Sequence, residues 1–104
     1  KIPLVLHGAS SVPAKLVSKA AKFGAKLGNP HGVAASELKK AVKNGINKIN
    51  TDTDLRLSFD ADVREVIKNK PEVFDIRKIL GPTREGMTNL VRAKMRLFGS
   101  RGKA

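Results

Sequence analysis

The sequence contains no cysteine, tryptophan or tyrosine, and only four phenylalanines in 104 residues. Without cysteine there is no disulfide framework, no thiolate metal site and no nucleophilic thiol. So few aromatics leave single-stranded nucleic acid without the platforms on which its bases stack. Long apolar runs are missing as well: none approaches the roughly 18 residues that span a bilayer, and no signal-peptide pattern opens the chain. Acids are scarce in the first half, where residues 1–51 carry nine lysines against Glu37 alone. Residues 52–104 are more evenly mixed, with twelve Lys/Arg and eight acids. The resulting net charge of +12 attracts phosphate of any kind, whether on nucleic acid, anionic lipid or a phosphorylated metabolite. The length allows one domain at most, and a 40% hydrophobic fraction is enough for a core. The chain opens on Lys1-Ile2-Pro3 rather than Met and runs straight into a strand-like stretch, as a piece of something longer would.

Ile2 to Leu6 is a short, nearly continuous apolar run, which predicts a strand buried on both faces as in a parallel sheet. His7 and Gly8 end it. Ser11 is placed to cap a helix that tolerates Pro13 in its first turn and stops near Phe23, before Gly24. On that helix Lys15, Lys19 and Lys22 form a stripe continued by Lys26, on a face apart from Leu16, Ala20 and Phe23; it reads as a solvated outer side. Gly24 to Gly32 is loop-like. A second helix is predicted from about Ser36 to Asn44, with Gly45 after it, then a strand over Ile46–Asn50. Thr51 to Asp54 is dense in capping side chains before a helix over Leu55–Lys68, closed by Pro71. Asp75 to Leu80 predicts a short helix broken by Gly81-Pro82, and Thr83 to Leu97 a last one with a polar, fraying tail. Two short strands cannot make a stable sheet alone, so the pattern is a piece of an α/β protein lacking its other strands.

Two places can carry chemistry. At the first strand end, Leu6-His7-Gly8-Ala9-Ser10-Ser11 sets a histidine beside a small-residue turn leading into a helix. Ligands of α/β folds bind beyond the carboxyl ends of strands, and such turns expose N–H groups to anions. The plainer reading is a histidine bonded to nearby backbone and a turn that only redirects the chain. At the second strand end, Asn50-Thr51-Asp52-Thr53-Asp54 suits sugar hydroxyls and phosphate, provided the aspartates cap the helix or point away. Capping alone also explains it. What favours function is that consecutive strands both end in polar, helix-opening turns, as do the last two strands of a phosphate-binding barrel.

The run Pro3-Leu4-Val5-Leu6-His7-Gly8-Ala9-Ser10-Ser11-Val12-Pro13, followed by Gly45-Ile46-Asn47-Lys48-Ile49-Asn50-Thr51-Asp52-Thr53-Asp54-Leu55-Arg56, closely resembles class II fructose-bisphosphate aldolases. Further matches fall at Phe74-Asp75-Ile76-Arg77, at Leu80-Gly81-Pro82-Thr83-Arg84-Glu85 and at Leu97-Phe98-Gly99-Ser100, so the resemblance runs over nearly the whole chain in order and spacing. It implies an α/β fold: the C-terminal part of a (β/α)8 TIM barrel, strands seven and eight plus the terminal helices, with no complete independent domain in residues 1–104.

The resemblance also implies roles. His7 matches one of three histidines holding a catalytic zinc; a monovalent cation near the phosphate loop belongs to the same picture. Gly8, Ala9 and Ser10 match donors to the phosphate of dihydroxyacetone phosphate. Ala9 stands where many members have Gly, which requires a backbone open to other residues there. Asn50 matches the catalytic residue that stabilises the enediolate, Asp52 one that bonds a substrate hydroxyl, and Thr51 and Thr53 lie near the phosphate. Arg77 matches an arginine reaching a neighbouring subunit's substrate phosphate, with Ile76 replacing the usual Pro. The implied activity is reversible cleavage of fructose 1,6-bisphosphate to dihydroxyacetone phosphate and glyceraldehyde 3-phosphate, in a cytoplasmic homo-oligomer with no nucleic-acid or membrane partner. The remaining zinc ligands and the acid/base carboxylate belong to earlier strands, so the 104 residues alone are expected to be catalytically incomplete. His31, in a Gly/Pro loop, is read as a loop residue and not a second ligand. A tagatose-bisphosphate aldolase is the alternative within the family. A small basic nucleic-acid-binding module is the alternative from another class, resting on the charge and the lysine stripe.

Overall fold

The computed structural model describes residues 1–103, in the order β1 (Val5–Leu6), α1 (Ala14–Lys22), α2 (Ala35–Lys43), β2 (Lys48–Ile49), α3 (Thr53–Asn69) and α4 (Ile76–Phe98). The strands pair in parallel, Val5 opposite Lys48 and Leu6 opposite Ile49. Leu4 carbonyl accepts from the N–H groups of Asn47 and Lys48, and Leu6 carbonyl from Asn50 N–H at 2.9 Å. Each strand is shorter than its apolar pattern predicts, because it has one ladder partner and no third strand lies beside the pair among the described residues. No barrel is closed. For the same reason the predicted two-sided burial of the first strand is not met: Leu4 is 60% exposed and Val5 44%.

The helices follow from capping and turn chemistry, with two corrections. Ser11 does not cap α1; Pro13 occupies that position with no side-chain bond, and its carbonyl accepts from Leu16 and Val17. The two helices predicted either side of Gly81-Pro82 are one, α4, with Pro82 inside it. A proline in a helix interior removes one N–H from the ladder. Here Pro82 and the residue four before it, Lys78, are both exposed, so the Lys78 carbonyl that loses its helical donor can turn to water. Asp75 caps α4 by accepting from Arg77 N–H at 2.9 Å, and Gly99 closes it in the left-handed conformation.

The core is small. Ala20, Ala25, Leu57 and Ala61 bury one seam between α1 and α3, with Val12, Leu16 and Val17 against it. Lys19 reinforces the seam from the side, its Nζ 2.6 Å from both Asp62 Oδ1 and Glu65 Oε2. Burial pulls the ammonium down, but the two carboxylates outweigh it and hold Lys19 above the ordinary lysine range. The lysine stripe is therefore interrupted: Lys15, Lys22 and Lys26 face water while Lys19 faces α3. A closed chain of 11.2 kDa exposes about 5,700 Å² by the usual scaling, against 7726 Å² here. The radius of gyration, 15.7 Å, likewise exceeds the roughly 13 Å of a closed domain of this length. The helices lie as a slab beside the strand pair, and much apolar surface stays open.

Candidate functional site

Parallel pairing brings the carboxyl ends of β1 and β2 side by side, and the two segments that follow form one cavity of about 540 Å³. Its walls include His7, Gly8 and Ser10 from the first strand end and Asn50, Asp52 and Thr53 from the second. The two predicted centres are one site. The Asn50 side-chain nitrogen lies 3.0 Å from His7 Nδ1, a link that orients the imidazole. The direction of this bond follows the tautomer: with the amide nitrogen donating, the ring proton sits on Nε2. Turning the amide by 180° reverses the bond and frees the Nε2 lone pair, the arrangement a metal-ligating histidine adopts.

The loop between β1 and α1 owes its shape to a buried carboxylate. Asp54, in the first turn of α3, is fully buried. Its Oδ2 accepts from Ser11 N–H and Ser11 Oγ, both at 3.0 Å, and its Oδ1 accepts from Val12 N–H at 2.7 Å. Lys94 Nζ from α4 closes the set at 2.5 Å from Oδ2. Burial alone pushes the Asp54 carboxyl up, yet Lys94 and the two N–H donors more than offset this and hold it below the ordinary range. Val12 has φ +47°, a conformation costly for a β-branched residue and held here by the bond to Asp54. Gly8 at φ +62° needs no such help. Ala9 is not among the residues with positive φ, so its backbone is open to a residue other than glycine, as expected.

A third segment seals the loop. Val33 N–H donates to Ser10 carbonyl at 3.0 Å, and Gly32 packs so closely on the Ser10 carbonyl and Ser11 backbone that any Cβ would collide. This contact carries Pro30 and His31 into the cavity wall. His31 Nδ1 lies 3.3 Å from the Asn29 carbonyl. Of the further wall residues, Val12 lies in the run Pro3–Pro13 but carries no expected role, Pro30 and Gly32 had no signal beyond a Gly/Pro-rich loop, and His31, read as a loop residue, in fact shares the cavity with His7.

Three expected site residues lie elsewhere. Ala9 is fully buried, backbone included, and off the cavity wall. Thr51 lines a separate cavity of about 250 Å³ with Leu90, Lys94 and Met95, and its hydroxyl is buried without a partner. Arg77 stands on the first turn of α4, its side chain 87% exposed and ion-paired to Asp75 at 2.8 Å. That pair holds the Asp75 carboxyl below its ordinary range and raises Arg77. Neither aspartate of the second strand end caps α3 through its side chain: Asp54 turns to the loop, while Asp52 pairs with Arg56 at 2.8 Å. Asp52 N–H instead donates to Ser10 Oγ at 3.3 Å, tying the two strand ends together.

No group of three or more His, Cys, Asp or Glu that could hold a metal occurs among the described residues. A catalytic zinc needs three protein ligands and an open position. His7, exposed at the strand end and oriented through one nitrogen by Asn50, fits one donor of such a set and cannot make the set alone.

Comparison with known proteins identifies the family. The sequence model of the family described as fructose-bisphosphate aldolase class-II matches residues 1–103. A fructose-bisphosphate aldolase of Thermus caldophilus is 52% identical over 102 residues, covering 98% of this chain and 33% of that protein. One from Helicobacter pylori (strain ATCC 700392 / 26695) is 44% identical over 102 residues, with the same coverage. One from Giardia intestinalis is 40% identical over 103 residues, 99% of this chain and 32% of that protein. The chain thus spans about a third of the length of the curated relatives it matches.

Proposed function

This chain belongs to the class II fructose-bisphosphate aldolase family, and on that premise we propose that it forms strands seven and eight and the terminal helices of a (β/α)8 barrel. In that setting it takes part in reversible aldol cleavage of fructose 1,6-bisphosphate to dihydroxyacetone phosphate and glyceraldehyde 3-phosphate. The observation that carries the reading is the single cavity holding His7, bonded to Asn50 at 3.0 Å, beside the Gly8–Ser10 loop and the start of α3. Zinc bound through His7 and donors outside these residues would supply Lewis-acid polarisation of the substrate carbonyl.

The chain's own groups bind and orient. Gly8 presents its backbone N–H, and Ser10 its hydroxyl, to one substrate phosphate, while Ala9 packs beneath the loop. Thr53 and the N-terminus of the 17-residue α3 add donors and a favourable dipole on the same side. Asn50 holds the His7 ring and offers an amide N–H to the substrate oxygen that gains charge as the carbon–carbon bond breaks. The Asp52 carboxylate, pulled aside by Arg56, accepts from a substrate hydroxyl and keeps its charge off the phosphate. The protein acts as a cytoplasmic homo-oligomer in which Arg77, exposed and off the wall of its own cavity, serves a neighbouring subunit's phosphate.

The test is zinc-dependent cleavage by the full-length protein carrying this segment. It is expected to cleave fructose 1,6-bisphosphate, to lose activity on chelation and to be inhibited by inorganic phosphate. Preferential cleavage of tagatose 1,6-bisphosphate would move the substrate within the family; cleavage indifferent to chelator would overturn the role of His7.

A further inference from the structure

We propose that Lys94, near the far end of α4, is a positioning residue for the phosphate loop and acts on it through Asp54 and Ser11. The inference rests on the functional reading above and assigns a role to a residue that touches no part of the cavity wall.

Lys94 is separated from Ser11 by 83 positions in sequence. Its side chain is only 12% exposed, and its Nζ reaches two partners: Asp54 Oδ2 at 2.5 Å and Ser11 Oγ at 2.7 Å. The Ser11 hydroxyl accepts from Lys94 and donates to Asp54, so the three groups form a closed triangle. Asp54 spends its remaining capacity on the backbone N–H groups of Ser11 and Val12. Those are the two residues immediately after Ser10, and Val12 is the one held at positive φ. The ammonium therefore fixes the charge of a carboxylate that in turn fixes the exit of the phosphate loop.

The energetics make the dependence directional. A fully buried carboxylate keeps its charge only when paired and hydrogen-bonded. Without the ammonium, Asp54 takes up a proton or draws water inward, and in either state it is a weaker acceptor for the two backbone N–H groups. Val12 then relaxes from its left-handed conformation, and the turn that presents Gly8 and Ser10 is no longer preorganised for an anion. Substrate binding should suffer more than turnover, because the link bears on the phosphate and not on the reacting carbons. Through Ser11 and Asp54 the same ammonium bonds both strand-end segments.

The experiment compares Lys94→Met, Lys94→Arg and Ser11→Ala in the full-length zinc-loaded enzyme, reading KM for fructose 1,6-bisphosphate, kcat, inhibition by inorganic phosphate and zinc per subunit. Lys94→Met is expected to raise KM and the phosphate inhibition constant together by about tenfold, with kcat within about threefold and zinc unchanged. Ser11→Ala, which keeps the backbone bonds, should raise both by about threefold, and Lys94→Arg should recover most of the loss. A Lys94→Met enzyme with a lower melting temperature but unaltered KM and phosphate inhibition would reduce the triangle to a structural ion pair and overturn the inference. Should that variant not fold, unaltered constants in Ser11→Ala overturn it equally. A parent enzyme that neither cleaves the bisphosphate nor responds to phosphate defeats the functional reading first, so the two failures are told apart.

Discussion

The two sides of this molecule are built to different standards. At the strand ends, several polar groups meet partners from far along the chain: Asp54 gathers Ser11, Val12 and Lys94, Asn50 meets His7, and Val33 meets Ser10. On the other side, α3 and α4 leave an open apolar groove of about 820 Å³ walled by Leu55, Phe59, Ile76, Leu80, Met87 and Val91. There the side chains have little to pack on: Ile76 is 65% exposed, Phe59 41% and Val91 43%. Directed bonds give the strand ends their geometry within this chain, while the groove has the composition of an interface without its other half. The difference teaches that precision at a site does not require completion of the core. A loop can be fixed by a few buried polar links while the hydrophobic surface behind it awaits cover.

The largest expected effect tests whether the strand-end side is more than well-ordered scaffold. His7→Ala in the full-length enzyme should cut zinc occupancy and cleavage together by more than about a hundredfold, the upper range for losing a mere outer-shell partner. Retained zinc would show that the imidazole is a bystander. Gly32→Ala comes next. Its Cβ has no room against the Ser10 carbonyl and Ser11 backbone, so the 30–33 segment must lift from the loop. Overpacking of this kind costs about 1–3 kcal/mol. Both a lowered melting temperature and a raised KM are expected, since the displaced segment forms part of the cavity wall. A change in stability with KM untouched would separate the seal from the site.

Acid sharpens the comparison differently. The Asp54 carboxyl is held below its unfolded value, so the native state binds fewer protons than the unfolded one between those two values. Its stabilisation is therefore complete above the unfolded pKa of about 3.9 and is lost as pH falls through the lower native value. Acid titration should release the Ser11–Val12 exit before the apolar core of the α1–α3 seam, Ala20, Ala25, Leu57 and Ala61. Hydrogen exchange at the Ser11 and Val12 amides, followed from pH 5 downward, is the measurement. Lys94→Met should shift that release to higher pH. Opening of both regions at one pH would mean that the loop has no separate acid sensitivity.

Much of this was legible in the sequence, for reasons that differ by region. The helices were, because apolar spacing and glycine stops are local properties. His7, Gly8, Ser10, Asn50, Asp52 and Thr53 were, because residues at the ends of neighbouring parallel strands converge whatever the rest of the fold does. The continuity of α4 was not: Gly81-Pro82 reads as a break, and the exposure of the proline's turn, which lets water take the freed Lys78 carbonyl, makes it harmless. Nor was Asp54. Set among Thr and Asp residues before a helix it looks like a cap, and its actual partners are 42, 43 and 40 residues away, at Val12, Ser11 and Lys94. Buried polar links over such distances leave no periodic trace. The run Ile2–Leu6 read as doubly buried because its composition matches a central strand, whereas its exposure here reflects how few neighbours the described chain supplies.

The smallest expected effect lies on the open side, and its smallness is the point. Phe74 is 95% exposed at the approach to α4, and Ile76, two residues on, borders the groove. A side chain already in water contributes almost nothing to folding, so Phe74→Ala should change the stability of the 104-residue chain by less than about 0.5 kcal/mol. Burial of a whole phenylalanine, by contrast, is worth about 1.5–3 kcal/mol. The same substitution in the full-length protein therefore reports directly on whether this side is covered there. A cost of about 2 kcal/mol, read from urea midpoints in both contexts, would assign the missing half of the interface to the rest of the barrel or to a neighbouring subunit. Dependence of that cost on protein concentration distinguishes the two, because cover by another subunit is lost on dilution and cover by the same chain is not. An effect below 0.5 kcal/mol in both contexts would mean that Phe74 stays in water in the whole protein, and the contrast between the two sides would then stop at the groove itself.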